Sequence, residues 1–199
     1  MKFVLTIVAM LGLSTTASAA ICQTQSLLSA VLDTNCDIGD KNVAFTGFSG
    51  QNLSATDIEV QLTDSGDTHG INFNSASGQG FGAGTSFTIG YTISVLGTDP
   101  YRRINWVALD INAPGANASA QKQYTTGEGV QFSLLSSGAP QEMGIAPTTS
   151  IDVILSATVK EGILFGVGDT YEQTTVPEPG TYALIGAGLL GVVAFRRRK

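Results

Sequence analysis

The chain has 199 residues, of which 13% are charged and 24 are glycine. An average soluble domain has about 25% charged residues and about 7% glycine, so this composition disfavours a helical protein with a charged surface. The formal net charge is −6, and residues 20–175 contain five basic against 15 acidic residues. Such an acidic body argues against a protein that binds the phosphates of nucleic acid. The length allows one sizeable hydrophobic core and hardly two.

The first 19 residues have the pattern of a secretory signal peptide. Lys2 supplies a positive start, an apolar run follows over residues 3–13, and Ala17 and Ala19 are the small residues that precede a cleavage site. We expect signal peptidase to cleave between Ala19 and Ala20. The alternative is a buried N-terminal helix. A transmembrane helix is not expected, because the apolar run is too short to span a bilayer.

The C-terminus combines three features in a fixed order. The motif Val176, Pro177, Glu178, Pro179 comes first, an uncharged stretch of 15 residues follows over Thr181–Phe195, and the chain ends in a basic tail of Arg196, Arg197, Arg198 and Lys199. This stretch is short for a transmembrane helix, but it can span a bilayer if the long side chains of the basic tail extend to the lipid headgroups. The tail then faces the cytoplasm and stops transfer, and the body lies outside. A soluble core helix is the alternative.

This C-terminal arrangement resembles the PEP-CTERM sorting signal of Gram-negative bacteria over residues 176–199. The resemblance implies recognition of residues 177–179 by exosortase, a membrane protease and transpeptidase. It also implies a temporary hold in the inner membrane, and organisms that usually make exopolysaccharide. The expected course is export through the inner membrane, transient anchoring, and then the cell surface or the extracellular space.

Residues 20–175 are predicted to form one all-β domain, a single antiparallel β-sandwich (jelly-roll-like) of eight or nine strands. Apolar and polar residues alternate along several segments, as expected of strands with one buried face. Clusters of Gly, Asn, Asp, Ser and Pro separate them and supply turns. We expect no long helix, only one or two turns near residues 26–32. The predicted strands are 43–48, 58–62, 71–73, 87–95, 103–111, 130–134, 151–159 and 163–167.

Two kinds of residue in the body have a predicted place in the structure. Trp106 lies in a segment that is apolar on both faces, so we expect it in the core of a central strand; stacking on a sugar ring is the alternative. Cys22 and Cys36 are the only cysteines, and both follow the signal peptide. In an oxidising compartment they are expected to form a disulfide, because a zinc site would need more ligands.

The segment from Cys22 to Phe48, followed by the strand at 87–95, resembles the start of the ectodomain in many exosortase-dependent surface proteins. This second resemblance supports the fold and implies no chemistry. The members of that group have no assigned activity.

The body offers little catalytic chemistry. His69 is the sole histidine and lies in what reads as a polar turn, so a Ser-His-Asp triad is not expected. Seven acidic residues were considered for a glycosidase pair and are expected to be solvated: Asp57, Glu59, Asp110, Glu128, Glu142, Asp152 and Glu161. Calcium could use Asp64 with Asp67, or Asp37 with Asp40, but neither pair has the spacing of an EF-hand, and turn chemistry is the simpler interpretation.

These observations lead to one main hypothesis and one alternative. The first is a non-enzymatic surface or extracellular-matrix protein, without cofactor or metal, whose processing partners are signal peptidase and exosortase and which associates with exopolysaccharide or biofilm. The alternative is a glycan-binding β-sandwich, which would need Trp106, Tyr101 and Tyr124 exposed in one patch.

Overall fold

A computed structural model of the protein describes residues 24–97, 101–176 and 184–185. Within these ranges the chain forms fourteen strands, one short α-helix and one turn of 3-10 helix. In chain order they are β1 (Gln25–Leu27), α1 (Leu28–Val31), β2 (Asn35–Ile38), β3 (Lys41–Gln51), the 3-10 turn (Ala55–Asp57), β4 (Ile58–Ser65), β5 (Thr68–Ser75), β6 (Phe81–Gly82), β7 (Ser86–Val95), β8 (Arg102–Asn112), β9 (Asn117–Thr126), β10 (Gln131–Ser136), β11 (Gln141–Thr148), β12 (Ser150–Glu161), β13 (Ile163–Leu164) and β14 (Gly166–Thr175).

Two six-stranded antiparallel sheets make up the fold. Sheet I has the order β1-β4-β5-β14-β8-β11, and sheet II has the order β10-β9-β12-β7-β3-β2. A two-stranded ribbon joins β6 to β13. Along the chain, the connections that pass from one sheet to the other are β1–β2, β3–β4, β5–β7, β7–β8, β8–β9, β10–β11, β11–β12 and β12–β14. The predicted all-β sandwich is confirmed, whereas the predicted number of eight or nine strands was too low.

The core lies between the two sheets and is built by strict alternation. In β7 and β12 every second residue is buried, and the residues between them face outward. Each strand buries only one of its faces, so a sandwich requires an apolar residue at every second position. The strands predicted at 87–95 and 151–159 are confirmed. The buried residues of these two strands are Phe87, Ile89, Tyr91, Ile93, Ile151, Val153, Leu155, Ala157 and Val159.

Three parts of the secondary structure differ from the prediction. The strands β1, β2, β6, β9 and β11 were not predicted, and β14 continues to Thr175, well beyond the predicted end at residue 167. The predicted strand at 163–167 is divided between β13 and the start of β14. The short helix expected near residues 26–32 is present as α1.

Trp106 is not a core residue, contrary to the prediction. Strand β8 does lie inside sheet I, between β14 and β11, but its pairing with β14 is irregular between Ile104 and Trp106. The extra residue, Asn105, reverses the alternation, as a β-bulge does. Ile104 therefore faces the core, and so does Val107, whereas Trp106 is half-buried on the outer face of sheet I.

The terminal predictions fall outside the described residues. These are the signal peptide with its Ala19–Ala20 cleavage site, Cys22, and the sorting segment from Pro177 onward apart from Leu184 and Ile185, which are helical. Within the described ranges, no helix combines the length and the apolar character that crossing a bilayer demands.

Candidate functional site

The outer face of sheet I contains a shallow polar depression of about 290 Å³. Its floor is formed by Gly166 and Gly168 on β14, the strand between β5 and β8. In the register of the sheet, Gly168 lies between Asn72 and Asp110, and Gly166 lies between Asn74 and Asn112. Gln61, the partner of Asn72 on β4, extends the row by one strand. We call these seven residues the amide trough.

The two glycines make the trough possible because a side chain on either of them would fill it. A Cβ on Gly166 would lie 2.3 Å from Oδ1 of Asn74, and a Cβ on Gly168 would lie 3.0 Å from Oδ1 of Asn72. The asparagine side chains thus lean over the floor from β5. Asp110 and Asn112 are exposed on the opposite wall.

The trough carries four amide side chains and one carboxylate, and none of its lining residues is cationic. Amides both donate and accept hydrogen bonds, whereas the carboxylate accepts only. Such a lining suits a neutral ligand rich in hydroxyl groups. Trp106 is on the same face of β8, two outward positions from Asp110, with the small Ala108 between them.

The aromatic patch expected for a glycan-binding module is not formed. Tyr124 is fully buried in the core, where its ring stacks on Phe132 with 4.8 Å between ring centroids. Tyr101 is 38% exposed and lies just before β8, and its carbonyl accepts a hydrogen bond from the backbone N–H of Val176. The sequence did not indicate the trough, because its residues come from four strands, and β8 and β14 are distant along the chain from the hairpin of β4 and β5.

A second polar depression, of about 400 Å³, lies on the outer face of sheet II. Gln123, Gln131 and Asp152 are among its lining residues. Asp152 accepts a hydrogen bond of 2.6 Å from the hydroxyl of Thr92 on the neighbouring strand. The carboxylate of Asp152 is therefore already engaged within the sheet.

A charged pair that was not predicted from the sequence lies in the middle of the core. Lys122 on β9 and Asp169 on β14 are fully buried, and Nζ lies 2.5 Å from Oδ2. The hydroxyls of Tyr91 and Tyr171 donate to Oδ2 of Asp169, and Tyr124 donates to Oδ1 at 3.2 Å. Because β9 belongs to sheet II and β14 to sheet I, this core cluster joins the two sheets.

Burial shifts the pKa values in the core cluster strongly. Burial lowers the pKa of Lys122 to about 8, even though the charge of Asp169 opposes the change. Burial also raises the pKa of Tyr91 and that of Tyr171 well above the usual value, and the negative charge of Asp169 adds to the effect. The tyrosines are therefore permanent hydrogen-bond donors.

His69 is buried on β5, so its assignment to a polar turn was wrong. The turn is formed by residues 65–68, and His69 is the first inward-facing residue of β5. Its Nε2 lies 3.3 Å from Oδ1 of Asp40, and its Nδ1 lies 3.2 Å from Oδ1 of Asp64. Lys41, fully buried, contacts Asp40 at 2.5 Å and donates to the side chain of Gln173.

Each member of the two acidic pairs predicted as calcium candidates contacts another side chain, as Asp64 does with His69. Asp40 contacts Lys41, Asp67 contacts Arg102 at 2.7 Å, and Asp37 accepts a hydrogen bond of 2.8 Å from the amide of Asn42. Among the described residues, no group of three or more His, Cys, Asp or Glu is placed to hold a metal ion.

The structure describes only part of the predicted disulfide and of the sorting motif. Cys36 is fully buried on β2 and is disulfide-bonded. Cys22 lies outside the described residues, so the identity of its partner stays a prediction. Val176 is the last residue of the sandwich, and its N–H bonds to Tyr101 at 2.8 Å. Pro177 to Pro179 and the basic tail also lie outside the described part.

Comparison with solved structures gives distant similarities only. TmCBM61 in complex with beta-1,4-galactotriose is 10% identical with a TM-score of 0.33, over 74% of this chain and 93% of that chain. The xylan-binding module CBM15 is 12% identical with a TM-score of 0.28, over 68% and 98%. The CBM22-1 xylan-binding domain of Paenibacillus barcinonensis Xyn10C is 9% identical with a TM-score of 0.27, over 66% and 87%. Such low similarity carries no argument about function.

Comparison by sequence finds one family model that matches part of the chain. No curated protein matches it. The family model of the PEP-CTERM protein-sorting motif matches residues 175–199, a segment that begins at the last residue of β14. The chain is therefore a protein with a C-terminal PEP-CTERM sorting motif.

Proposed function

We propose that the protein is exported, held at the inner membrane by its C-terminal segment, and sorted by exosortase to the cell surface or the extracellular matrix, where it has no enzymatic activity. The observation that carries this proposal is the sorting motif at residues 175–199. The position of the motif supports it, because the matched segment begins at Thr175, the last residue of the final strand β14.

The placement of the reactive side chains supports a non-enzymatic role. Lys122, Asp169 and His69 are each at most 1% exposed. A general acid, base or nucleophile must come within hydrogen-bond reach of its substrate. No substrate can reach these groups while the two sheets stay packed together.

Exchange of Pro177→Ala together with Glu178→Ala tests the sorting proposal. In a host that carries exosortase, the double variant should be exported and folded but should stay at the membrane as an unprocessed precursor. Glu161→Ala is the control, because it removes an exposed carboxylate from the end of β12 and leaves the motif intact. If the double variant has the same mass and the same fractionation as the wild type, processing at this motif is rejected and a permanent anchor remains.

A second candidate function, binding of a neutral glycan, is favoured by the amide trough. Three of its features match the chemistry of sugars: a floor without side chains, amides on both walls, and a carboxylate without a cation beside it. A few well-placed polar groups are what fix the orientation of a small ligand. Association with exopolysaccharide would follow directly from such a site.

Affinity electrophoresis of the exported protein in gels that contain xylan, galactan or alginate tests the glycan proposal. We expect retardation by a neutral polymer, and its loss in Asp110→Ala and in Gly168→Val, which fills the trough. Asp152→Ala is the matched control on sheet II and should be retarded like the wild type. Retardation that is equal in all variants, or absent with every polymer, would reject the trough as a glycan site.

A further inference from the structure

The contact between Lys122 and Asp169 differs from an ordinary buried ion pair. Although Nζ and Oδ2 are 2.5 Å apart, the angles are not those of a hydrogen bond, and Nζ has no hydrogen-bond partner among the described residues. The other neighbours of Nζ are aromatic faces. The ring centroids of Phe73 and Tyr91 lie 6.0 and 5.9 Å away.

Such an environment is unfavourable for a charged ammonium group. A lysine ammonium has three N–H donors, and none of them has a hydrogen-bond partner among the described residues. A buried ion pair repays the loss of hydration only when its remaining donors and acceptors are also satisfied. Asp169 meets that condition through three tyrosine hydroxyls, whereas Lys122 does not.

The geometry points to an intramolecular isopeptide bond between Nζ of Lys122 and Cγ of Asp169, formed by the folded domain itself. An amide at this place removes both buried charges and leaves a single N–H on the nitrogen. The proposal is independent of the sorting and glycan proposals, because it concerns only the core.

The condensation balances without any further reactant. A proton passes from the ammonium to the carboxylate, which gives a neutral amine and a carboxylic acid. The amine lone pair attacks Cγ, the N–C bond forms, and one C–O bond breaks. The departing hydroxyl takes up a proton from the nitrogen and leaves as water, and nothing is oxidised or reduced.

The surrounding residues match the needs of this reaction. The lowered pKa of Lys122, which results from burial, makes the neutral amine accessible at neutral pH. The hydroxyls of Tyr91 and Tyr171 at Oδ2, and that of Tyr124 at Oδ1, can stabilise the negative charge that develops on the carboxyl oxygens. Because both side chains are buried from solvent, competing hydrolysis of the product is suppressed.

The bond would connect sheet II to sheet I at the centre of the sandwich. Lys122 lies on β9 and Asp169 on β14, so unfolding could no longer separate these two strands completely. A covalent link of this kind suits a protein that works outside the cell without chaperones.

Peptide mapping of the full-length, exported protein tests the inference. After denaturation, reduction and digestion with trypsin, the linked form should not be cleaved after Lys122. It should give a branched product in which residues 104–160 are joined to the peptide that begins at Glu161, lighter than the sum of the two by one molecule of water. Cleavage after Lys122 with separate, full-mass peptides would overturn the proposal.

Three variants locate the bond. Lys122→Arg should abolish the mass loss, and Lys41→Arg, the other fully buried lysine, should retain it. Asp169→Asn can still react, but its loss should then be one molecule of ammonia. A mass loss that persists in Lys122→Arg would place the link elsewhere and reject the assignment. The wild-type map decides the question even if a variant does not fold.

Discussion

His69 and Asp64 are directly opposite each other in the hairpin of β4 and β5, and Nδ1 of the imidazole lies 3.2 Å from Oδ1 of the carboxylate. Asp40 stands on the other side of the ring. Even so, the pKa of His69 is lowered from 6.5, because burial, and after it the charge of Lys41, outweighs the two carboxylates. The folded protein therefore holds this histidine neutral.

This relationship predicts a loss of stability on mild acidification. Below pH 6.5 the unfolded chain takes up a proton on His69 that the folded chain refuses until its own lower pKa is reached. Linkage then makes the free energy of unfolding fall as the pH falls through this window. Urea denaturation at about pH 7.5 and about pH 5.5 measures the difference. His69→Gln should reduce this difference in the free energy of unfolding, because the chain contains no second histidine. An unchanged pH dependence would contradict the assignment.

Asp40 predicts a second loss of stability at lower pH. Burial raises the pKa of its carboxyl, but the hydrogen bond and charge of Lys41 reverse the effect and leave the pKa below 3.8. The stabilisation from Asp40 is thus complete above pH 3.8 and is lost as the pH falls through the folded value. Asp40→Asn should weaken the dependence in this acid range. Urea denaturation at several pH values across this range measures the effect, and an unchanged pH dependence would contradict the assignment.

Two of the strands that carry the core cluster, β9 and most of β14, are among those that the sequence failed to predict. In β9 the inward positions are Ala118, Ala120, Lys122 and Tyr124, and in β14 they include Asp169 and Tyr171. Small or charged inward residues erase the hydrophobic alternation on which the prediction depends. Lys122 and Asp169 compensate each other only across the sheets, and that pairing is tertiary information. The alternating strands β7 and β12 needed no such information.

The site residues were missed for a related reason. The amide trough is made by the register of β5, β14 and β8, and single polar residues on the outward face of a strand look like ordinary solvated positions. Trp106 was misplaced because the bulge at Asn105 changes the phase of β8, and no glycine or proline marks it. In contrast, the sorting motif is contiguous in sequence, so it was predicted in full and is confirmed.

Replacement of Gly39 tests the backbone next to His69. Gly39 has a φ of +57°, and a Cβ there would lie 2.4 Å from Oδ2 of Asp64. Gly66 has a similar φ of +68° but open space around it. The left-handed conformation costs an L-residue about 1–2 kcal/mol. Gly66→Ala should lose about that much free energy of unfolding, and Gly39→Ala should lose more because its Cβ also meets Asp64. Equal losses would show that Asp64 moves away freely.

Leu155 and Ile154 are neighbours on β12 that test the sandwich directly. Leu155 is fully buried, whereas Ile154 is 50% exposed. Leu155→Ala should lower the free energy of unfolding by about 2–5 kcal/mol, because it leaves a cavity between the sheets. Ile154→Ala should change it by about 0.5 kcal/mol or less. Denaturant unfolding of both variants is the measurement, and similar losses would mean that β12 is not oriented as described.

The predicted disulfide can be separated from the packing of its buried partner. Cys36 lies on β2, the edge strand of sheet II, and Cys22 precedes β1, the edge strand of sheet I, so a bridge between them would tie the two sheets along one side. On the chain-entropy estimate, a loop of about 15 residues contributes about 3 kcal/mol.

Cys22→Ser removes the bridge and keeps the buried side chain of Cys36 in place. Its free energy of unfolding should be about 3 kcal/mol lower than that of the oxidised wild type, and it should not respond to reductant. The oxidised wild type should lose the same amount when reductant is added, because the folded contacts are then identical in the two proteins. If the unfolded, unreduced wild type reacts with a thiol-alkylating reagent at both cysteines, there is no bridge and the difference in stability should vanish.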